Sequence, residues 1–382
     1  MELTEKIKPV STRRTKIIII VAVVLLALTS YYFYVSYKSK TQNTMYISPE
    51  KLEEAKNSFH NGDYTAAQVK FEDLLRTPMS KDQEGIVKNF YASALFLSEG
   101  EEEKIRGAEM IKSIIEDPTM SGRSKMFAYN SIAASYVKGS SKANYLKYFS
   151  EDPYTSLLSK EAKLDSSISD VDLAYAELLK LSYEAYPNSY ASYVLAGDYY
   201  APIIGRYINA SSTKAELEVV KEAAVLVQDL IKKGDELSDE DLFAPSTYLW
   251  SKLNKAIALR ASNRILNNLS DEEIDGAFKD AYNLGLQEKN NNASSVLVMY
   301  KVRFFYAYFL SDNLAKNAEQ INELLTPFEV AATENDLASK RIRNFFSVSS
   351  QNPGLPINII SRRLASVSPV FKQFLENTGF GF

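Results

Sequence analysis

The chain has 382 residues, of which 46% are hydrophobic, a share that is typical of proteins with a buried core and argues against disorder. It contains no cysteine, which excludes disulfides, thiol nucleophiles and thiolate metal sites. The net charge of −4 is unevenly divided, because residues 1–40 carry seven basic and two acidic side chains, a net +5, which leaves −9 for the rest. An acidic remainder argues against nucleic acid as a partner, since phosphate binding requires a basic face.

The first predicted element is a membrane-spanning helix. No charged residue occurs between Ile17 and Tyr37, and residues 17–28 are entirely apolar. As a helix this segment would be about 30 Å long, the thickness of a bilayer core. A cluster of tyrosine and phenylalanine at residues 31–37 is typical of a membrane interface. The sequence therefore predicts a transmembrane helix at 17–37.

The basic residues around this segment predict its orientation. Five of them precede it and only Lys38 and Lys40 follow closely, so the positive-inside rule places the N-terminus in the cytoplasm. A cleaved signal peptide is the alternative, but it needs a shorter apolar core and a small-residue cleavage site, and residues 27–30 (Ala-Leu-Thr-Ser) match such a site poorly. We expect a single-pass membrane protein whose C-terminal domain is extracytoplasmic.

Beyond a short polar stalk, apolar residues recur at helical spacing almost to the end of the chain. Three apolar stripes carry this prediction, and the Ser270…Glu273 pair forms a capping-box signature. The first stripe is Ile86, Phe90, Ala94 and Leu97. The second is Ile105, Ala108, Ile111 and Ile115. The third is Leu217, Val220, Ala224, Val227 and Ile231. Tyrosine is abundant, with 25 residues, and we expect most of these rings to fill the spaces between packed helices.

One segment has a more specific pattern, in which small residues sit where two helices meet, a glycine makes the turn and a proline follows the second helix. Its defining positions are Ala55, Gly62, Ala67, Phe71, Leu74 and Pro78. This pattern resembles a tetratricopeptide (TPR) repeat over 48–79, and it continues in less regular form through a second unit to about residue 118. The resemblance implies a stack of helix pairs.

TPR proteins bind peptide segments or other subunits in the groove lined by the first helix of each repeat. Carried over by position, the resemblance implies that Leu52, Lys56, Phe59 and His60 face the groove and contact a protein or peptide partner. The chaperone-binding subclass has Lys and Asn where this chain has Leu52 and Lys56, so the resemblance does not extend to recognition of chaperone tails.

Other candidate chemistry is weak. His60 is the only histidine, which excludes sites that need two, and we interpret it as an ordinary turn residue. The acidic clusters 101–103, 239–241 and 271–273 each stand at a predicted helix start, where negative charge complements the helix dipole. Ser-x-x-Lys sequences at 135–138 and 211–214 lack the companion motif of penicillin-binding enzymes. We expect no catalytic residue, no metal and no cofactor.

The predicted fold is all-α, with a single N-terminal transmembrane helix followed by a TPR-like helical-repeat solenoid. Its parts are a basic cytoplasmic tail (1–16), a transmembrane helix (17–37), a stalk (38–47), TPR-like repeats (48–150) and a second helical-repeat region with a C-terminal cap (151–382). The favoured function is a membrane-anchored, non-enzymatic scaffold for an extracytoplasmic, cell-envelope complex. The alternative is an α-helical envelope domain that binds a ligand or acts as an enzyme on polysaccharide.

Overall fold

The computed structural model describes residues 47–137, 148–149, 170–209, 214–237, 243–287, 292–350 and 356–380. All regular elements in these ranges are helices, which confirms the predicted all-α class. The cytoplasmic tail and the transmembrane helix predicted at 17–37 lie outside the described residues, as does the stalk apart from its last residue. Among the helices that are described, none combines the length and apolarity needed to cross a bilayer.

The first part of the chain forms consecutive antiparallel helices. In chain order they are α1 (Pro49–His60), α2 (Tyr64–Leu75), α3 (Lys81–Phe96), α4 (Glu101–Glu116), α5 (Gly122–Val137) and α6 (Asp170–Ala185). Each helix packs on the next, and α3 also packs on α5, so alternate helices lie side by side. This arrangement is typical of stacked helix pairs.

The second part continues the packing with helices of more varied length. It begins with α7 (Ser189–Val194), a π-helical segment (Leu195–Tyr200), α8 (Ala201–Asn209), α9 (Lys214–Asp235), α10 (Pro245–Leu266) and α11 (Asp271–Gln287). It ends with α12 (Ala293–Leu310), a 3₁₀ turn (Ser311–Asn313), α13 (Leu314–Leu325), α14 (Phe328–Thr333), α15 (Leu337–Ser350), α16 (Pro356–Ala365) and α17 (Pro369–Asn377).

Local sequence explains the first hairpin. Ser48 caps α1 and Pro49 occupies its first turn, where the missing N–H costs nothing. Gly62 makes the turn with φ +83°, a left-handed conformation that favours glycine. Asp63 then caps α2 by accepting a hydrogen bond from the Ala66 amide at 3.0 Å. The turn predicted at Gly62 is confirmed.

The small residues predicted at helix contacts are also in place. Ala55 and Ala67 are fully buried where α1 and α2 meet. Between α3 and α4 the approach is closer still, because a Cβ added at Gly107 would lie 2.5 Å from the Ala92 carbonyl oxygen. Only glycine permits two helix backbones to pack at that distance.

Two other predictions concern helix ends and faces. The capping box is present, with the Ser270 amide donating to Glu273 Oε2 at 2.7 Å and the Glu273 amide donating to Ser270 Oγ at 3.2 Å. In the stripe predicted for α9, Val220, Ala224, Val227 and Ile231 are buried, whereas Leu217 is 43% exposed. The periodicity therefore identified the inner face of α9 but extended it one turn too far.

Three hydrophobic cores follow one another along the chain. The first lies within residues 47–95, the second within 92–258 and the third within 249–380. The second core contains residues from both sides of position 150, so the two helical-repeat regions expected from the sequence share buried side chains. The last helices contribute Phe371, Phe374 and Leu375 to the third core, each fully buried.

The close packing of α3 on α4 predicts a specific effect of adding one methyl group. Gly107→Ala should lower the free energy of unfolding by about 1–3 kcal/mol, since the new Cβ meets main-chain atoms of Ala92 and Phe96 that cannot rotate away. Thermal or denaturant unfolding of the full chain measures the change. Gly276→Ala on α11 is the control, because no atom lies within 4 Å of the added Cβ. There the higher helix propensity of alanine should raise the free energy of unfolding by up to about 1 kcal/mol. Equal effects at the two positions would contradict this account.

Candidate functional site

The described residues form a groove with a cavity volume of about 280 Å³. Most of its lining comes from α1, α3 and α5, which are the first helices of three consecutive pairs. Tyr190 on α7 and Phe243, Ala244 and Thr247 around the start of α10 complete the lining, together with Ile111 on α4. All four residues predicted from the TPR resemblance, Leu52, Lys56, Phe59 and His60, line this groove.

The three helices present the groove with the same spacing of side chains. Each contributes residues at positions i, i+4 and i+7, which lie on one face of a helix. The sets are Leu52, Lys56 and Phe59 on α1; Ile86, Phe90 and Ser93 on α3; and Arg123, Phe127 and Asn130 on α5. The groove is thus lined by one face repeated three times.

Six phenylalanine and tyrosine rings take part in the lining. Phe59 and Phe90 meet edge to face with their centroids 5.7 Å apart. The Phe243 centroid lies 6.0 Å from that of Phe127 and 5.4 Å from that of Tyr190. These contacts connect helices that are distant in sequence, so the rings are held in place before any partner binds.

Polar side chains between the rings have unused hydrogen-bonding capacity. Asn89 donates to the Ser124 carbonyl at 2.9 Å, which ties α3 to α5, but its Oδ1 has no partner among the described residues. Nδ2 and Oδ1 of Asn130 and Nε of Arg123 also have no hydrogen-bond partner among the described residues. A buried polar group without a partner costs about 1–3 kcal/mol, so these atoms favour a rearrangement that pairs them.

The charge of the groove differs from that of the protein around it. The residues that line it include Lys56, His60 and Arg123 but no Asp or Glu. Lys56 contacts Glu53 at 2.7 Å outside the groove lining, and Arg123 contacts Asp82 at 3.5 Å. The cavity is therefore weakly basic within an acidic chain.

The part of the groove formed by α3 was not predicted from the sequence. Of the predicted apolar stripe Ile86, Phe90, Ala94 and Leu97, only Ala94 is buried, and the other three line the groove. The buried face of α3 is instead centred on residues such as Val87. Periodicity finds an apolar face, and it does not say whether a core or a groove covers that face.

One end of the groove is fixed by a contact between distant parts of the chain. Ser294 Oγ, at the start of α12, donates to the His60 carbonyl at 3.0 Å, and Arg341 of α15 donates to Ser294 Oγ at 3.5 Å. The Arg341 guanidinium also lies beside Tyr64, where burial raises the pKa of the phenol and the arginine partly offsets the rise. We refer to His60, Tyr64, Ser294 and Arg341 as the end-to-end contact.

Comparisons with known proteins provide no relative for this chain, since no family model, no curated protein and no solved structure matches it. Within the described ranges, no three His, Asp or Glu side chains are grouped as metal ligands would be. The groove is therefore the feature of the described residues that bears on function.

The end-to-end contact predicts which residues respond when it is weakened. Arg341→Gln should lower the free energy of local opening of residues 49–64 by about 1 kcal/mol, which corresponds to about fivefold faster hydrogen exchange of their amides. Arg343→Gln is a control on the same helix, because Arg343 donates to the carbonyls of Ala331 and Glu334 instead, at 2.6 and 2.7 Å. If both variants accelerate exchange in 49–64 equally, the contact does not hold the first hairpin.

Proposed function

We propose that this chain is a membrane-anchored scaffold whose TPR-like groove binds an extended peptide segment of a partner protein. The observation that carries the proposal is the face repeated at i, i+4 and i+7 on α1, α3 and α5. Leu52 and Ile86 are 34 positions apart, the length of one TPR repeat, and Arg123 follows after another 37. A surface that repeats along its length suits a ligand that also repeats, as a peptide backbone does.

The chemistry of the lining supports a peptide in particular. The amides of Asn89 and Asn130 lie on consecutive first helices, and each is able to exchange hydrogen bonds with peptide groups. The aromatic rings between them accept apolar side chains at small entropic cost. Because Lys56 and Arg123 stand in a lining without carboxylates, the favoured segment carries both apolar and acidic residues.

The anchor belongs to the same proposal. Helix α1 begins at Pro49, twelve residues after the predicted transmembrane segment ends at Tyr37. A fully extended linker of that length reaches about 40 Å. The groove would therefore operate close to the outer face of the membrane, where the scaffold organises an envelope complex.

An envelope ligand-binding domain or enzyme acting on polysaccharide is the second candidate. Cleavage of a glycosidic bond generally uses two carboxylates on either side of the bond. The described lining of the groove offers none, although its aromatic rings suit sugar faces as well as apolar side chains. The scaffold is favoured for that reason.

Photo-cross-linking from inside the groove tests the partner. Benzoylphenylalanine in place of Phe59 and, separately, Phe127 should each yield an adduct in intact membranes, and mass spectrometry should identify the same peptide segment of the same partner at both positions. The reason is that the two rings line one continuous groove. The same probe at Val69, which is 65% exposed on α2 outside the groove, should give no such adduct.

A matched pair of variants sharpens this test. Asn130→Ala should weaken partner binding about tenfold with little loss of stability, because Asn130 makes no hydrogen bond within the described chain that would be lost. Asn322→Ala, on the exposed face of α13, should change neither. Adducts with different proteins at the two groove positions, or with none, would refute a peptide groove.

The topology is tested separately. An alkaline phosphatase fused after Phe382 should be active and accessible outside the cytoplasm, since the basic residues 6–16 hold the N-terminus inside. A charge-reversed variant replaces the basic residues within 6–16 by neutral ones and adds lysines after Lys40. This variant should place a smaller fraction of the reporter outside the cytoplasm. A reporter that is cytoplasmic in the native chain would overturn the proposed location.

A further inference from the structure

The lining of the groove changes character at Arg123, the first groove residue of α5. The equivalent positions of the repeated face are Leu52 on α1 and Ile86 on α3, which are both aliphatic. Two helices therefore present an apolar side chain at this position, and the third presents a guanidinium. The repeated face is thus the same in geometry on all three helices, but its chemistry differs on α5.

The other long cationic side chain of the lining is already engaged. The Lys56 ammonium lies 2.7 Å from the Glu53 carboxylate and 5.8 Å from the centroid of the Phe90 ring. A carboxylate and an aromatic face both stabilise this charge within the protein. Lys56 therefore has less to gain from an acidic ligand than Arg123 has.

Arg123 has a looser partner and keeps one edge of its guanidinium unused by it. Its Nη1 is 3.5 Å from Asp82 Oδ2, whereas Asp82 Oδ1 accepts a shorter hydrogen bond from Ser121 Oγ at 2.6 Å. The edge formed by Nε and Nη2 does not include Nη1, and such an edge binds a carboxylate through two parallel hydrogen bonds. Nε is buried and has no hydrogen-bond partner among the described residues.

The packing of α5 on α3 determines where Arg123 lies. A Cβ added at Gly85 would collide with the Ser124 side chain, so the start of α5 is held close to α3. Asn89 of α3 donates to the Ser124 carbonyl at 2.9 Å, and the Arg123 guanidinium lies 6.0 Å from the centroid of the Phe127 ring. The guanidinium is therefore placed in the lining before a partner binds, which lowers the entropic cost of binding.

The lining does not end at α5. Helix α3 packs on α5 and contributes Phe90, and Phe243, which precedes α10, contacts both Phe127 of α5 and Tyr190 of α7. An extended segment that follows the lining from α3 past α5 to Phe243 passes Arg123 without ending there. A carboxylate that meets Arg123 in this way belongs to a side chain and not to the end of a chain.

We propose that Arg123 is a specificity-determining residue of the groove and binds the carboxylate of an Asp or Glu side chain within the bound segment. This inference rests on the peptide groove proposed above and gives the segment a register. An apolar residue of the segment lies against Phe90 on α3. Packed helices are about 8–10 Å apart and an extended chain rises about 3.3 Å per residue, so the acidic and the apolar residue stand about three positions apart.

The chemistry of the lining selects a carboxylate over the other groups that a peptide offers. A Lys or Arg side chain would meet the like charge of Arg123 in a lining that contains no Asp or Glu. A neutral amide would form hydrogen bonds about half as strong as those of a carboxylate. A carboxylate matches both the charge and the forked shape of the guanidinium.

Selection of the full chain against a randomised peptide library tests the assignment. The peptides are displayed between constant flanking residues, so that none has a free end. The selected peptides should share an Asp or Glu about three positions from an apolar residue. Fluorescence anisotropy with synthetic, end-blocked copies should show about tenfold weaker binding when Asn or Gln replaces the acidic residue, because a charge-assisted pair is lost.

Variants assign this preference to one side chain. Arg123→Gln should remove the difference between an acidic peptide and its amide analogue, and Arg123→Lys should retain part of it, since the charge remains without the fork. Arg76→Gln is the matched control, because Arg76 pairs with Glu72 at 3.0 Å on the exposed surface of α2, outside the lining. This control should leave the difference unchanged. The comparison of the two peptides on the native chain is decisive even where a variant folds poorly.

The outcome is separable from that of the peptide groove. Selected peptides that bind without an acidic preference, or an equal loss of preference in Arg76→Gln and Arg123→Gln, would overturn the role of Arg123 and leave the groove standing. Equal binding of a peptide whose free C-terminal carboxylate replaces the acidic side chain would also overturn it. A library that yields no binder would do the same, and cross-linking from Phe59 and Phe127 then decides the peptide groove by itself.

Discussion

The packing of α10 between two hydrophobic cores is the constraint on which the rest of the structure depends. Residues of this helix belong to both the second and the third core, and Gly197 of the π-helical segment approaches the α10 backbone at Asn254 so closely that a Cβ would not fit. The same helix closes the groove with Thr247 and places Trp250 beneath Lys301. A shift of α10 would therefore change the cores, the groove and the contact of Trp250 with Lys301 together.

The distribution of residue sizes explains why a groove exists at all. Where helices pack, the chain uses small residues such as Ala55, Ala67 and Gly107, which let the backbones approach. The large rings Phe59 and Phe90 pack on each other across neighbouring pairs, and each keeps part of its surface in the groove. Apolar surface left in a concave place is costly to a protein alone, and it is the usual mark of a surface that another molecule covers.

The features that could be predicted from the sequence are those determined by residues close together along the chain. The all-α class, the turn at Gly62, the Ser270–Glu273 cap and the four groove residues of α1 all follow from local pattern or from the TPR resemblance. The sequence did not predict the contact of His60 with Ser294, which are 234 residues apart, nor the meeting of Lys301 with Trp250. Such contacts depend on how far the stack curves, which is a sum of many small packing angles that no single motif encodes.

The end-to-end contact has a consequence for binding. In an open stack of the described helices, the first pair α1–α2 would have a single neighbour, α3, and would be the first to fray. Contacts with α12 and α15 give it a second neighbour, so the side of the groove formed by α1 is ordered in advance. A partner then meets rings that are already in place and loses less entropy on binding. Among the described residues the Asn130 side-chain amide has no hydrogen-bond partner, so the ordered groove retains buried polar atoms that are costly to leave unpaired.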